Sequence, residues 1–241
     1  MISDNLHAVQ ARIEAACAQA GRPAQDVTLL AVSKTFGVDA VQAAFEAGQT
    51  AFGENYIQEA VEKIAALKHL PINWHCIGPI QSNKTRLVAE NFDWVHSVDR
   101  FKIAERLNDQ RPAHLPPLQV CIQINIDGES SKSGVAPTEV AAMAAQVALL
   151  PRLALRGLMC IPENTTNSIA NRQAFTRARA IFDHINSQKL PISPKINSEV
   201  NFVTLDTLSM GMTADLEAAI ACGSTMVRVG TAIFGTRSKP A

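Results

Sequence analysis

The chain has 241 residues with 22 Lys+Arg against 22 Asp+Glu, so no overall field draws it to nucleic acid or to an anionic membrane surface. No stretch reaches the roughly eighteen uninterrupted apolar residues of a membrane span, and the opening Met1-Ile2-Ser3-Asp4-Asn5 lacks the basic and then apolar run of a secretory signal. Five scattered cysteines, an odd number, fit buried thiols in a reducing cytoplasm better than a disulfide framework or a zinc site.

In chain order, residues 4–20 space Leu6, Val9, Ile13, Ala16 and Cys17 three or four apart before Gly21 and Pro23. This pattern predicts an amphipathic helix within 1–24 that packs on the body of the fold. Val27 to Thr35 then reads as a β-branched, apolar strand buried on both faces, ending in Ser33-Lys34. Further apolar runs predict strands at 50–54, 72–78, 94–98, 119–127, 154–161, 202–209 and 225–230. Helical patterns fill the gaps at 38–48, 56–68, 83–91, 100–110, 137–149, 167–188 and 213–222, with a short closing helix after 231.

Strand alternating with helix forces a parallel sheet, because each return crosses over on a helix. Eight units in this length predict an α/β fold, a single (β/α)8 TIM-type barrel over residues 1–241 with one extra N-terminal helix. A doubly wound open sheet is the runner-up, but the Gly-x-Gly-x-x-Gly turn expected after its first strand is absent.

Barrel sites lie at the carboxyl ends of the strands. Lysine is rarely buried without a partner, so Lys34 at such an end is out of place as packing. Gly230-Thr231 opens the last helix straight off a strand, where backbone N–H groups and the helix dipole favour an anion. Ser209, Met210 and Gly211 come from the neighbouring strand end, and a phosphate site between the last two strands is a recurrent barrel feature. Read singly, Ser209 and Thr231 are helix caps; paired on adjacent strands, they read as a phosphate cradle. Arg228, two residues before Gly230, shares its face and needs an acceptor.

An amine, an arginine and an anion cradle around one mouth suit a phosphorylated aldehyde held as a Schiff base, since burial and a nearby cation both favour the neutral amine. Pyridoxal 5′-phosphate is such a molecule. His75 and His96 lie on strands without a partner at metal spacing and read as hydrogen-bonded core histidines, so no metal is expected. Asn83-Lys84 and Lys132 fall in loops at the mouth, where solvated basic residues are the plainer reading. Arg172, Arg177 and Arg179 read as a solvated helix face, and Asp215 as a helix N-cap.

Several long motifs carry a resemblance over nearly the whole chain: Leu29-Leu-Ala-Val-Ser-Lys34-Thr, Phe52-Gly-Glu-Asn55-Tyr-Ile-Gln-Glu59, Trp74-His75-Cys76-Ile-Gly78-Pro-Ile-Gln81-Ser-Asn83-Lys84, Ser131-Lys132-Ser-Gly134, Arg156-Gly-Leu-Met-Cys-Ile-Pro162, Leu208-Ser-Met-Gly-Met-Thr-Ala-Asp215 and Arg228-Val-Gly-Thr-Ala-Ile-Phe-Gly235. With these the chain resembles the pyridoxal phosphate homeostasis proteins, whose barrel is related to the N-terminal domain of alanine racemase. The resemblance implies that Lys34 is the internal aldimine lysine and that Arg228 faces the pyridine nitrogen. It further implies that Asn55 lies beside the ring and that Ser209, Met210, Gly230 and Thr231 hold the phosphate. His75, Gly211 and Val32 are placed in a layer behind them. Cys76 stands where an aromatic is usual and Thr213 where a serine is usual, both expected near the site rather than in it.

By the same resemblance, racemases of this type oppose the lysine with a tyrosine from an appended domain. Here the sole tyrosine is Tyr56, and the sequence stops just after the barrel closes. An arginine against the ring nitrogen also weakens the ring as an electron sink. The expectation is a cytoplasmic, monomeric carrier that buffers the cofactor and passes it to client apoenzymes, with no catalytic residues assigned. The alternatives are an amino-acid racemase or a Schiff-base aldolase acting on a sugar phosphate.

Overall fold

Eight parallel strands close on themselves in the order β1 to β8, and β8 pairs back onto β1 through Thr28↔Met226 to Ala31↔Val229. The computed structural model describes residues 1–129, 133–163, 168–191 and 202–236. The strands are β1 (Thr28–Val32), β2 (Ala51–Glu54), β3 (Asn73–Cys76), β4 (Trp94–Val98), β5 (Leu118–Ile124), β6 (Leu153–Cys160), β7 (Thr207–Met212) and β8 (Met226–Val229). Around them lie α1 (Ile2–Gln19), α2 (Val38–Glu46), α3 (Ile57–Ala66), α4 (Thr85–Asn91), α5 (Phe101–Gln110), α6 (Val140–Val147), α7 (Ser168–Ser187), α8 (Leu216–Ala221) and α9 (Thr231–Phe234). This is the (β/α)8 barrel predicted from the alternation.

The main apolar core lies between strands and helices, where each strand's outward face meets the apolar stripe of a helix. Inside the barrel a small cluster of Leu30, Ala51 and Met226 fills the space with Ile77 beside it. Above it the interior is polar, holding His75, His96, Ser209 and Arg228.

α1 buries the five expected residues, Leu6, Val9, Ile13, Ala16 and Cys17. It also braces the two helices behind the expected anion cradle. Asn5 donates to the Ile233 carbonyl at 3.0 Å, and Arg12 reaches both Glu217 (2.9 and 3.1 Å) and the Thr213 carbonyl (3.0 Å). Arg22 donates to the carbonyls of Ile220 and Ser224, each at 2.8 Å.

The largest departure from the sequence reading is β7, which runs over Thr207–Met212 instead of 202–209. Its carboxyl end is therefore Met212, not Ser209. The register against β8 shifts between Ser209 and Met212, with Gly211 at φ 92°. A side chain at Gly211 would also put its Cβ 2.5 Å from that of Ala219, so both backbone and packing require glycine there. Asp215 does stand at the N-cap of α8, but its carboxylate turns back to accept the Met212 N–H at 2.6 Å, closing the 212–215 turn.

Candidate functional site

The carboxyl ends of β1, β2, β6, β7 and β8 and the residue following β3 surround a cavity of about 280 Å³. Val32 and Lys34 come from β1 and its exit, Asn55 follows β2, and Ile77 follows β3. Ile161 follows β6, Met212, Thr213 and Ala214 come from the end of β7, and Arg228, Gly230 and Thr231 from β8 and the start of α9. A second hollow of about 260 Å³ adjoins it, sharing Asn55, Ile77 and Ile161 and reaching Gln123 and Asn125 on the far side of the mouth. A larger groove, about 550 Å³, lies along α7 and Ala218, but no strand end contributes to it.

The structure thus gathers Lys34, Asn55, Arg228, Gly230, Thr231 and Val32 around one space. Ser209 and Met210 are elsewhere: both are fully buried and neither lines the cavity. The extra turn of strand puts Met212, Thr213 and Ala214 in their place. Thr213 is therefore in the cavity wall and not merely near it, and its hydroxyl is the one the sequence reading passed over. Lys84 is the residue before α4 and lines neither hollow, while Lys132 and the adjoining Ser131 lie outside the described residues.

Arg228 is almost wholly buried. One guanidinium nitrogen donates to the Ser209 carbonyl (2.7 Å) and to Ser209 Oγ (2.8 Å), and the other to the Cys160 carbonyl (3.0 Å). All three acceptors are neutral, and among the described residues no carboxylate forms an ion pair with it. Burial pulls its pKa down from the ordinary arginine value, with nearby Cys160 and Asp215 opposing this. A buried cation with only neutral partners is costly, and an acceptor in the cavity would complete its set.

Below Arg228 a hydrogen-bonded column follows the barrel axis. His96 Nδ1 lies 2.9 Å from Ser209 Oγ, and His96 Nε2 lies 2.9 Å from His75 Nδ1. Arginine can only donate, so Ser209 Oγ accepts from it and its own hydrogen is available to His96, which in turn donates to His75. Burial lowers the His75 pKa to about 3, and burial, with the nearby Arg228 charge adding to it, takes His96 well below its ordinary value. Both rings are uncharged, and Trp94 stacks on His75 with centroids 5.2 Å apart. The core-histidine reading holds, with each the other's partner.

Asn55 is held at the rim by a close approach. A Cβ at Gly78 would come within 2.1 Å of the Asn55 carbonyl oxygen, so only glycine lets the β3 exit pass there. The side-chain oxygen of Asn55 is buried without a hydrogen-bond partner.

The family model for the alanine racemase N-terminal domain matches residues 5–238. A pyridoxal phosphate homeostasis protein from Pasteurella multocida is 54% identical over 238 residues, covering 98% of this chain and 97% of that protein. The chain belongs to the pyridoxal phosphate homeostasis protein family. A second member, from Pseudomonas aeruginosa, is 55% identical over 236 residues, covering 98% and 96% of the two chains. Among solved structures, PipY of Synechococcus elongatus PCC7942 with PLP bound superposes with a TM-score of 0.80 at 34% identity, covering 98% of this chain and all of that one.

Proposed function

We propose that this chain binds pyridoxal 5′-phosphate at the barrel mouth, with the Lys34 amine joined to its aldehyde, and keeps it as an exchangeable store without turning over a substrate. The observation that carries the reading is the buried Arg228, whose protein acceptors are all neutral and which faces the same cavity as Lys34. The orphaned Asn55 side-chain oxygen is a second polar atom at that wall, and the cavity, about 280 Å³, is of small-molecule size. The PLP-bound relative of the same fold supports the assignment.

In this arrangement the Lys34 amine and the aldehyde condense with loss of water, and Gly230, Thr231 and the Met212–Ala214 turn take the phosphate. Ser209 serves Arg228 from below. Arg228 donates to the ring nitrogen and, having no proton-accepting role, keeps that nitrogen unprotonated. When bound, the cofactor supplies an electron sink, and this contact weakens it. Tyr56 is half exposed and is not part of the cavity wall, so no second base opposes Lys34 from the one tyrosine of the sequence. A weak sink with a single base suits a carrier that yields its cofactor to client apoenzymes. We place this carrier in the cytoplasm as a monomer, in keeping with four fully buried free thiols.

The test is absorbance of wild type and Lys34→Ala with added pyridoxal 5′-phosphate. Wild type is expected to show an imine band that borohydride bleaches, leaving the label on Lys34. An unchanged band in Lys34→Ala removes that lysine from the role, and sustained racemisation of L-alanine or L-serine by the purified protein overturns the carrier assignment.

A further inference from the structure

A second lysine lies under the β1 exit, and it is buried. Lys63 belongs to the inward stripe of α3 with Ile57 and Ala60, and its side chain is only 5% exposed. Its ammonium donates to the Ser33 carbonyl at 2.9 Å and to Glu54 Oε1 at 2.8 Å, and it pairs with Glu59 Oε1 at 2.5 Å. Two hydrogen bonds and a second carboxylate partner thus engage Lys63 away from the cavity.

The acceptors bracket Lys34. Ser33 immediately precedes it, and the Ser33 hydroxyl also donates to Glu54 Oε1 at 2.7 Å. Thr35 immediately follows it, and the Thr35 N–H donates to Glu59 Oε1 at 3.0 Å. Thr35 sits at φ 68°, a left-handed conformation that a β-branched residue keeps only when its surroundings impose it. The chain turns sharply here, with Phe36 N–H returning to the Ser33 carbonyl at 3.1 Å. The Ser33 hydroxyl, the Ser33 carbonyl and the Thr35 N–H are thus all tied to one linked group, Glu54, Lys63 and Glu59.

We infer that Lys63 and Glu59, which pair directly while Glu54 holds Lys63 from its other side, are positioning residues for Lys34: they clamp the peptide groups on either side of it and so fix where its amine enters the cavity. The inference rests on the role of Lys34 proposed above. Neither residue touches the cavity wall, so the clamp acts through the backbone. It also separates the tasks of two neighbouring lysines, one spent on carboxylates and one presented to the aldehyde.

The experiment uses Glu59→Ala and Glu59→Gln in the full chain, because Lys63→Met would leave Glu54 in the interior without its cation. The Glu59 side chain is about a third exposed (35%), so both variants are expected to fold. Amide hydrogen exchange at Thr35, read without cofactor, is expected to quicken about ten- to a hundredfold in Glu59→Ala, the factor a hydrogen bond to a charged group confers. Growth of the imine band and borohydride labelling of Lys34 are expected to slow by a similar factor. Glu59→Gln keeps an acceptor oxygen for Thr35 and is expected to restore most of both. Wild-type exchange and wild-type labelling in Glu59→Ala would overturn the clamp, as would equal losses in the alanine and glutamine variants. A wild-type protein that takes up no cofactor overturns the proposed function instead, and the exchange measurement then decides the clamp by itself.

Discussion

One arginine stands at each end of the barrel, and the two are bonded in opposite ways. At the amino ends of the strands Arg156 forms a fork with Asp206, with Nε 3.1 Å from both carboxylate oxygens, and its guanidinium lies 5.0 Å over the Trp94 ring. At the carboxyl ends Arg228 has two carbonyls and a hydroxyl and, among the described residues, no carboxylate. Trp94, His75, His96 and Ser209 stack between them, so the column that is closed by an ion pair below ends in an uncompensated cation above. Evenness of charge is a packing solution; its absence at one end marks where something else supplies the acceptor.

The largest effect that sharpens this contrast is expected from Arg228→Leu. Loss of the charged donor that we propose for the ring nitrogen is worth about 1.5–3 kcal/mol, or roughly ten- to a hundredfold in cofactor affinity. Stability should change much less, because relief from burying the charge offsets the three lost hydrogen bonds. Titration with pyridoxal 5′-phosphate beside urea unfolding checks both halves. A variant that is strongly destabilised yet binds the cofactor with wild-type affinity while folded would make Arg228 a structural residue like Arg156.

The histidine column should break in acid, and the sign follows from its burial. His75 is held uncharged down to a pKa of about 3, whereas in the unfolded chain it titrates near 6.5. Between those values the unfolded state binds the additional proton, so stability falls as pH drops through that window, by about 1.4 kcal/mol per pH unit for each such histidine at most. His96 adds to the same slope, its window reaching as far down as its depressed pKa. Urea midpoints at pH 7 and pH 5 for wild type and His75→Gln measure it. The variant is expected to lose one histidine's share of the dependence, and an unchanged slope would show that His75 takes up its proton in the folded barrel.

The barrel was legible because a parallel strand covered on both faces reads as an unbroken apolar run, and eight such runs alternate with helical spacing. Lys34, Arg228 and the Gly230-Thr231 pair were legible for the converse reason: polar residues where those runs stop. What stayed hidden depends on register or on contact across the sequence. In β7 the small residues Ser209 and Gly211 sit inside the strand, so the run reads as ending three residues early and Thr213 falls outside the site. Lys63 reads as any surface lysine on a helix, and only its position opposite the β1 exit and Glu54 shows otherwise. His75 and His96, 21 residues apart, become partners because β3 and β4 are neighbours.

The smallest expected effect tests the closed end. In Arg156→Leu the ion pair lost is half in solvent, with side chains 34% and 50% exposed, and such pairs contribute about 0–1 kcal/mol. The contact over Trp94 adds roughly 0.5–1 kcal/mol. Urea unfolding should therefore show a loss on the order of 1 kcal/mol, while cofactor affinity stays at the wild-type value. The column makes this more than a control. If Trp94 and the two histidines transmitted orientation along the barrel, removing the lower arginine would let His75 shift and, through His96 and Ser209, turn the guanidinium at the mouth. Close packing argues that each member is instead held by its own neighbours. A displaced cofactor band in Arg156→Leu would show that the two ends are coupled and that Arg228 is set from below.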